Sequence, residues 1–400
     1  METYLPVIWA GVIGTAVALY VILDGFDLGT GILFPLAKTE RERDQMMDSV
    51  APFWDGNETW LVLGGGGLWV AFPQAYAVIM PGLYLPVFIM LLALVFRGVA
   101  FEFRSVAMTS KGYWNFAFAA GSTIAAVCQG VILGGLIEGI KVENGVFAGG
   151  PFDWATPFAL LCGLGVTVGY ALLGATWLVM KTDGVVAERA RVQAKVLLLG
   201  VLAFMVVVSI WTPLAFDRIA ARWFSAPNIY FLWPVPLLTA LTALMAWRWL
   251  EEGREMLPFF ASIVLFLLGY LGLVISTFPY LVPPTLTLWQ TAAVPASQLF
   301  MLTGTLILLP IILGYIVFVY WIFRGKVREG EGYHCPNLRP VILRQSTAAG
   351  AVKSRRPACC LLHAWVHAAV AHGFCSVAAV GAGVCPCGLI SAQPMRRSGS

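Results

Sequence analysis

A chain of 400 residues that is 59% hydrophobic and 12% charged, with mean hydropathy +0.82, does not belong to the soluble globular class, where about 25% of residues are charged. Its net charge of +4 is unevenly placed: residues 334–400 hold seven basic residues, no acid, all four histidines and six of the eight cysteines. The body, residues 1–333, is slightly acidic and carries no histidine, which excludes a basic nucleic-acid surface and imidazole-ligated haem, copper or zinc in that part. Its two cysteines, Cys128 and Cys162, stand singly in apolar runs and read as buried free thiols rather than a disulfide framework.

Taken in chain order, apolar runs separated by charged or Pro/Gly-rich breaks predict about nine membrane spans, at 6–34, 50–72, 75–103, 113–140, 157–180, 193–213, 228–249, 257–277 and 296–323. Each is near the ~20 residues a crossing requires. The fold class is therefore an all-α polytopic membrane protein, a bundle of about nine transmembrane helices. The first run lacks a basic leader and a cleavage site and reads as an uncleaved span. Lys38, Arg41 and Arg43, then Arg104 and Lys111, then Lys181, Arg189, Arg191 and Lys195, then Arg248 and Arg254, and finally Arg324, Lys326 and Arg328 mark one side. The alternate loops hold only Lys141, Arg218 and Arg222, so the positive-inside rule places the N-terminus outside and residue 324 onward in the cytoplasm. Residues 138–157 read as a turn-rich polar loop, and 278–295, with four prolines, as extended or interfacial chain. We divide the chain into a transmembrane domain, 1–333, and a tail, 334–400, read as disordered or frame-shifted. The His363/His367 pair in that tail has no supporting metal-ligand set. Sequencing the gene tests the frame-shift reading, which an intact frame encoding the tail would overturn.

Within the body, ionisable residues inside spans stand out, because each costs roughly 2.5–3.5 kcal/mol on insertion scales and normally has a partner or a task. The first span contains Asp24 and Asp27 in LDGFDLGTG, with Gly25 and Gly29 in a GxxxG spacing that admits a close neighbour. They form part of a hydrophilic path or cap a helix break. Residues 53–67, FWDGNETWLVLGGGG, place Asp55 and Glu58 at i, i+3 beside Asn57, between Trp54 and Trp60. Helix capping and interfacial anchoring compete here with a functional site. The four glycines that follow suit close helix packing. Arg97, ending an apolar run, either snorkels to an interface or is a buried counter-ion for an aspartate. Gln290, Ser297 and Gln298 read as helix-packing hydrogen bonds. No dinucleotide fingerprint, Walker loop or nucleophile elbow occurs.

LDGFDLGTG (23–31), SVAPFWDGNETWLVLGGGGLWVAFP (49–73), LVFRGVAFEFR (94–104), ISTFPYLVPPTLTLW (275–289) and YWIFRGKV (320–327) together resemble subunit II of the cytochrome bd quinol oxidases, from the N-terminus to about residue 333. The variant with Glu58 and four glycines resembles the cyanide-insensitive-type branch. The resemblance implies a nine-helix, haem-free subunit of the bacterial cytoplasmic (inner) membrane. Its expected partners are a homologous subunit I, which carries haem b, haem d and the quinol-oxidising loop, and small single-span accessory subunits. Such a complex oxidises quinol and reduces oxygen to water with protons from the cytoplasm. The implied proton-path positions match Asp24, Trp54, Asp55 and Arg97, to which the residue pattern adds Asp27 and Glu58. Some members hold a structural quinone, for which nothing here identifies a pocket, and Phe53 stands where some relatives have a histidine. Outside the resemblance, intramembrane acids and glycine-broken spans also suit an ion-coupled secondary transporter, though no inverted repeat is visible; a purely structural scaffold is the third reading.

Overall fold

The computed structural model describes residues 4–107 and 109–327, all within one folded unit, Met1–His334. The readings made for residues 334–400 lie outside them. The fold is almost wholly helical, as expected of a chain that must satisfy its backbone inside lipid. Among the described residues, eight helices are long and apolar enough to cross a membrane.

Helix α1, Leu5–Leu33, opens with Pro6 in its first turn, where a missing N–H costs nothing, and runs into a 3-10 turn at Phe34–Leu36. The expected loop 35–49 contains instead a helix, α2, Glu40–Val50. Thr39 caps it by accepting from the Glu42 amide at 3.2 Å, with Glu40 and Glu42 in the first turn, where the helix dipole favours them. Its residues are too polar to register in a search for apolar runs.

The second expected span is α3, Trp54–Ala71, about 27 Å long at 1.5 Å per residue. Its acid- and amide-bearing first turns keep it below the apolarity of the other eight. The third is divided into α4, Pro73–Gly82, and α5, Tyr84–Val106. There follow α6, Lys111–Glu138, α7, Pro157–Lys181, α8, Val185–Ala215, and the amphipathic α9, Asp217–Phe224. Helices α10, Asn228–Leu232, and α11, Pro234–Glu251, break the seventh expected span. The last long helices are α12, Leu257–Thr277, and α14, Pro295–Ile322, with the single turn α13, Leu288–Thr291, between them. The polar loop after α6 forms a hairpin, β1 (Val142–Glu143) with β2 (Val146–Phe147), turned by Asn144 and Gly145 at φ 51° and 80°. That Asn-Gly pair is the turn chemistry a two-residue hairpin demands. The proline-rich connection pairs β3, Tyr280–Val282, with β4, Leu286–Thr287.

Helices α1, α5, α6 and α7 build the core, α3 lies along α1, and α8, α11 and α12 extend the bundle from α7. Large apolar side chains of α8, α11 and α14, such as Val196, Leu241, Phe300 and Ile311, point outward, as lipid- or partner-facing helices require. Gln298 is a packing residue, its side-chain amide donating to the Ala71 carbonyl at 3.0 Å while its main-chain carbonyl accepts from Trp9 Nε1 at 3.1 Å. The glycine run is used by halves: Gly64 and Gly67 meet Val17 and Ile13 of α1, while Gly65 and Gly66 face open space.

The closest approach is between α1 and α7. A Cβ on Gly29 would land on the Tyr170 carbonyl, and one on Gly174 would strike the Gly29–Thr30 peptide. Backbone cannot yield as a side chain can. We expect Gly29→Val to cost more than the roughly 1–3 kcal/mol of ordinary overpacking. A lost monodisperse peak and a lower Tm in detergent would register it. Gly11→Val, at a glycine with nothing within 4 Å, should leave both unchanged.

One end of the bundle is tied by ion pairs outside the spans. Glu42 accepts from Arg189 at 2.5 Å, and Lys326 meets Asp183 at 2.7 Å and Glu255 at 2.8 Å. The Arg189 hydrogen bond holds the Glu42 carboxyl below the usual glutamate range, and hydrogen bonds to Asp183 and Glu255 raise the Lys326 ammonium above the usual lysine range. Stability from Glu42 is thus present above the ordinary glutamate pKa and lost as pH falls through the lowered one. Stability from Lys326 is present below the ordinary lysine pKa and lost as pH rises through the raised one. Tm should therefore be flat around neutrality and decline at both extremes. Arg189→Ala should flatten part of the acid limb and cost under about 1 kcal/mol at neutral pH.

Candidate functional site

One buried cluster concentrates the ionisable side chains of the core. Gly25 and Gly29 let α1 sink against α7, which carries Asp24 and Asp27 into the protein interior, both with 0% side-chain exposure. From α5, Arg97, also 0% exposed, reaches Asp24 Oδ1 at 3.1 Å, Asp27 Oδ2 at 4.0 Å and Glu58 Oε1 of α3 at 2.8 Å. Gly121 of α6 brings that helix against the Ala93 carbonyl and the backbone of Arg97, and the Arg97 guanidinium lies 5.7 Å from the Phe101 ring centre. Snorkelling is thereby ruled out for this arginine: it is a counter-ion within the bundle.

Asn57, whose position allowed an interfacial anchor, is buried and donates to Asp27 Oδ2 at 2.7 Å and to the Leu23 carbonyl at 3.2 Å. Tyr320 of α14 donates to Asn57 Oδ1 at 3.1 Å. On the other flank, Tyr20, one turn before Asp24, accepts from Gln129 of α6 at 2.7 Å, and Tyr170 of α7 donates to Gln129 at 2.6 Å. The polar side chains of α1, α3, α5, α6, α7 and α14 thus meet in one region of an otherwise apolar bundle.

The arrangement has a definite electrostatic character. Three carboxyl groups face one guanidinium, so proton gain or loss changes the cluster's charge without a heavy atom moving. Asp24, Asp27 Oδ1 and Arg97 Nε and Nη2 make no hydrogen bond among the described residues, so the cluster has unused capacity to accept and donate. Glu58 is 27% exposed and is the cluster's one member that this chain does not fully enclose.

Of the six candidates drawn from the sequence, Asp24, Asp27, Glu58 and Arg97 come together. Asp55 does not join them: it projects to the exposed face in the first turn of α3, where a carboxylate also suits the helix dipole. Trp54 stacks on Phe101 with centroids 4.9 Å apart and planes 3° from parallel, and packs on Gly98. It shields the Arg97 helix rather than touching the acids. Phe53 is buried against Tyr320 and Trp177. Sequence reasoning did not find Tyr20, Gln129, Tyr170 or Tyr320; a glutamine inside an apolar run was the one available signal.

A family model described as cytochrome bd terminal oxidase subunit II matches residues 5–323. The chain is 30% identical to cytochrome bd-I ubiquinol oxidase subunit 2 of Escherichia coli (strain K12), covering 81% of this chain and 95% of that protein. It is 29% identical to cytochrome bd ubiquinol oxidase subunit 2 of Bacillus subtilis (strain 168), over 78% and 94% of the two chains. Among solved structures, the bd oxidase from Geobacillus thermodenitrificans superposes with a TM-score of 0.65 at 18% identity, covering 80% of this chain and 98% of that one. At that identity the likeness speaks for the fold.

Proposed function

Since the chain belongs to the cytochrome bd terminal oxidase subunit II family, and so is a subunit of a bd-type quinol:oxygen oxidoreductase, we propose that its own contribution is proton handling at the Asp24–Asp27–Glu58–Arg97 cluster. The observation that carries this reading is the cluster itself. Three carboxyl groups and an arginine, with one acid that this chain does not fully enclose, form an expensive arrangement for a part that only holds a partner in place.

In this reading a proton reaches Glu58 from the exposed side, with Asp55, one turn earlier on α3, raising the local proton supply at the mouth. It passes to Asp24 or Asp27 within the shell of the Arg97 guanidinium, which stabilises whichever carboxylate is left charged. Asn57 fixes Asp27, and Trp54 excludes water from the Arg97 side. The charge bias of the loops supports the cytoplasm as the source of protons and the bacterial inner membrane as the location.

The bd complex carries haems, and the donor set described here does not fit one. The described residues contain no imidazole, and the Cys162 thiol is packed against Gly134 between α6 and α7. We therefore place the haems and the quinol chemistry in a partner subunit I, with any accessory subunits around it, and route no step through a haem in this chain. A structural quinone has no residue assigned to it.

Co-purification with the haem-bearing partner, followed by haem spectra and quinol-driven oxygen consumption, tests the proposal. Asp24→Asn should leave the haem spectrum intact and slow turnover about tenfold or more, within the range of a lost proton-transfer group. Unchanged turnover and proton uptake would leave the scaffold role standing in its place.

A further inference from the structure

The Tyr170–Gln129–Tyr20 row lies beside the cluster and is not needed to carry protons through it. Its three side chains come from α7, α6 and α1, and the two tyrosines are buried. Tyr170 donates to Gln129 Oε1 at 2.6 Å and Gln129 Nε2 donates to the Tyr20 hydroxyl at 2.7 Å. An amide oxygen only accepts and an amide nitrogen only donates, so Gln129 orients the row in one sense. With its oxygen occupied as an acceptor, Tyr20 has its own O–H left to give, and one helical turn along α1 stands Asp24, whose buried carboxylate oxygens take no hydrogen bond among the described residues. The donors of the row thus run from Tyr170 through Gln129 to Tyr20, whose free O–H ends one turn from that carboxylate.

An amide is a poor proton carrier, so this is no second conduit. Aligned hydrogen bonds polarise one another in a low-dielectric interior and strengthen the last bond of the series. Resting on the proton-handling reading above, we propose that Gln129 and Tyr170 are positioning residues that act on Asp24 through Tyr20, fixing its orientation and the ease with which it gives up and regains a proton. Gly25 is part of the device: a side chain there would meet the Tyr170 ring at 3.0 Å.

The test uses the intact complex and two variants outside the acid cluster. Tyr170→Phe removes one hydroxyl and keeps the ring against Gly25; Gln129→Leu breaks the row at its centre. We expect haem spectra and assembly to be preserved, turnover to fall about threefold and fivefold respectively, in line with one lost hydrogen bond to a working group, and the pH–turnover profile to be displaced in both. The profile is the deciding measurement, because loosened packing would scale the rate without moving it. It is read against the other titratable and charged groups facing Asp24: Arg97 of α5, Glu58 of α3, Asp27 on α1 and Tyr320 of α14. Unaltered rate and profile, or a slower rate with an unmoved profile, would overturn the inference. Should Gln129→Leu fail to assemble, Tyr170→Phe decides alone. If Asp24→Asn is slow while Tyr170→Phe and Gln129→Leu are silent, this inference fails and proton handling stands; if Asp24→Asn is itself silent, the proton-handling reading has failed first.

Discussion

Arg97→Met is expected to prevent accumulation of the folded subunit. The substitution keeps most of the side-chain volume and removes the one positive charge that Asp24, Asp27 and Glu58 share. Removing one partner of a buried ion pair typically costs 3–5 kcal/mol, because the remaining charges stay buried and unpaired. Here three acids would be left, so the penalty should sit at the top of that range and take up much of a protein's usual ~5–15 kcal/mol of stability. The measurable outcome is loss of subunit II, and with it of the haem spectrum, from the detergent-extracted complex. Arg97→Lys should restore part of the yield, since an ammonium supplies charge without the planar fork that reaches two helices at once. If Arg97→Met accumulates and turns over normally, the arginine is not the cluster's counter-ion.

The second large effect separates two acids that stand three residues apart. Glu58→Gln keeps the shape of the side chain and its capacity to accept from Arg97 Nη1, now 2.8 Å away, but removes the proton site nearest the exterior. Turnover in the assembled oxidase should fall at least about tenfold, with little loss of stability, because a neutral acceptor of the same shape replaces the acid. Asp55→Asn should cost no more than about two- to threefold, the size of effect expected when an exposed charge only raises the local concentration of an incoming ion. Added salt should narrow the difference between Asp55→Asn and the parent while leaving Glu58→Gln unaffected, since exposed charges are screened and buried ones much less so. Equal losses in the two variants would place both acids in the path itself.

The contrast also marks how far the sequence could be read. Long apolar runs are visible to any hydropathy window, and the eighth span, 257–277, coincides with α12, Leu257–Thr277. The presence of acids within spans was visible as well, and so was the close approach announced by Gly25 and Gly29. What composition cannot reveal is rotation about a helix axis. Asp55 and Glu58 lie on neighbouring parts of the α3 surface, and the edge of the bundle falls between them, leaving one exposed and turning the other to Arg97. Asn57 was underestimated for the same reason: its phase relative to α1, set by how Gly64 and Gly67 seat α3 on Val17 and Ile13, decides whether it meets lipid or Asp27. Polar α2 and the hairpins were missed because they carry no apolar periodicity and are fixed by caps, turn residues and ion pairs instead.

The backbone contact of Gly29 with Tyr170 and Gly174 has a mechanical corollary. Two helices touching peptide to peptide have no side-chain cushion to compress, so α1 and α7 can neither slide nor twist past each other without losing the contact. Asp24, Asp27 and Tyr170 therefore ride on a single stiff beam. Gly121 seats α6 on the Ala93 carbonyl and the Arg97 amide of α5 in the same backbone-to-backbone way, so a rearrangement of the cluster falls to the long, jointed side chains of Glu58 and Arg97 rather than to the helices that carry them.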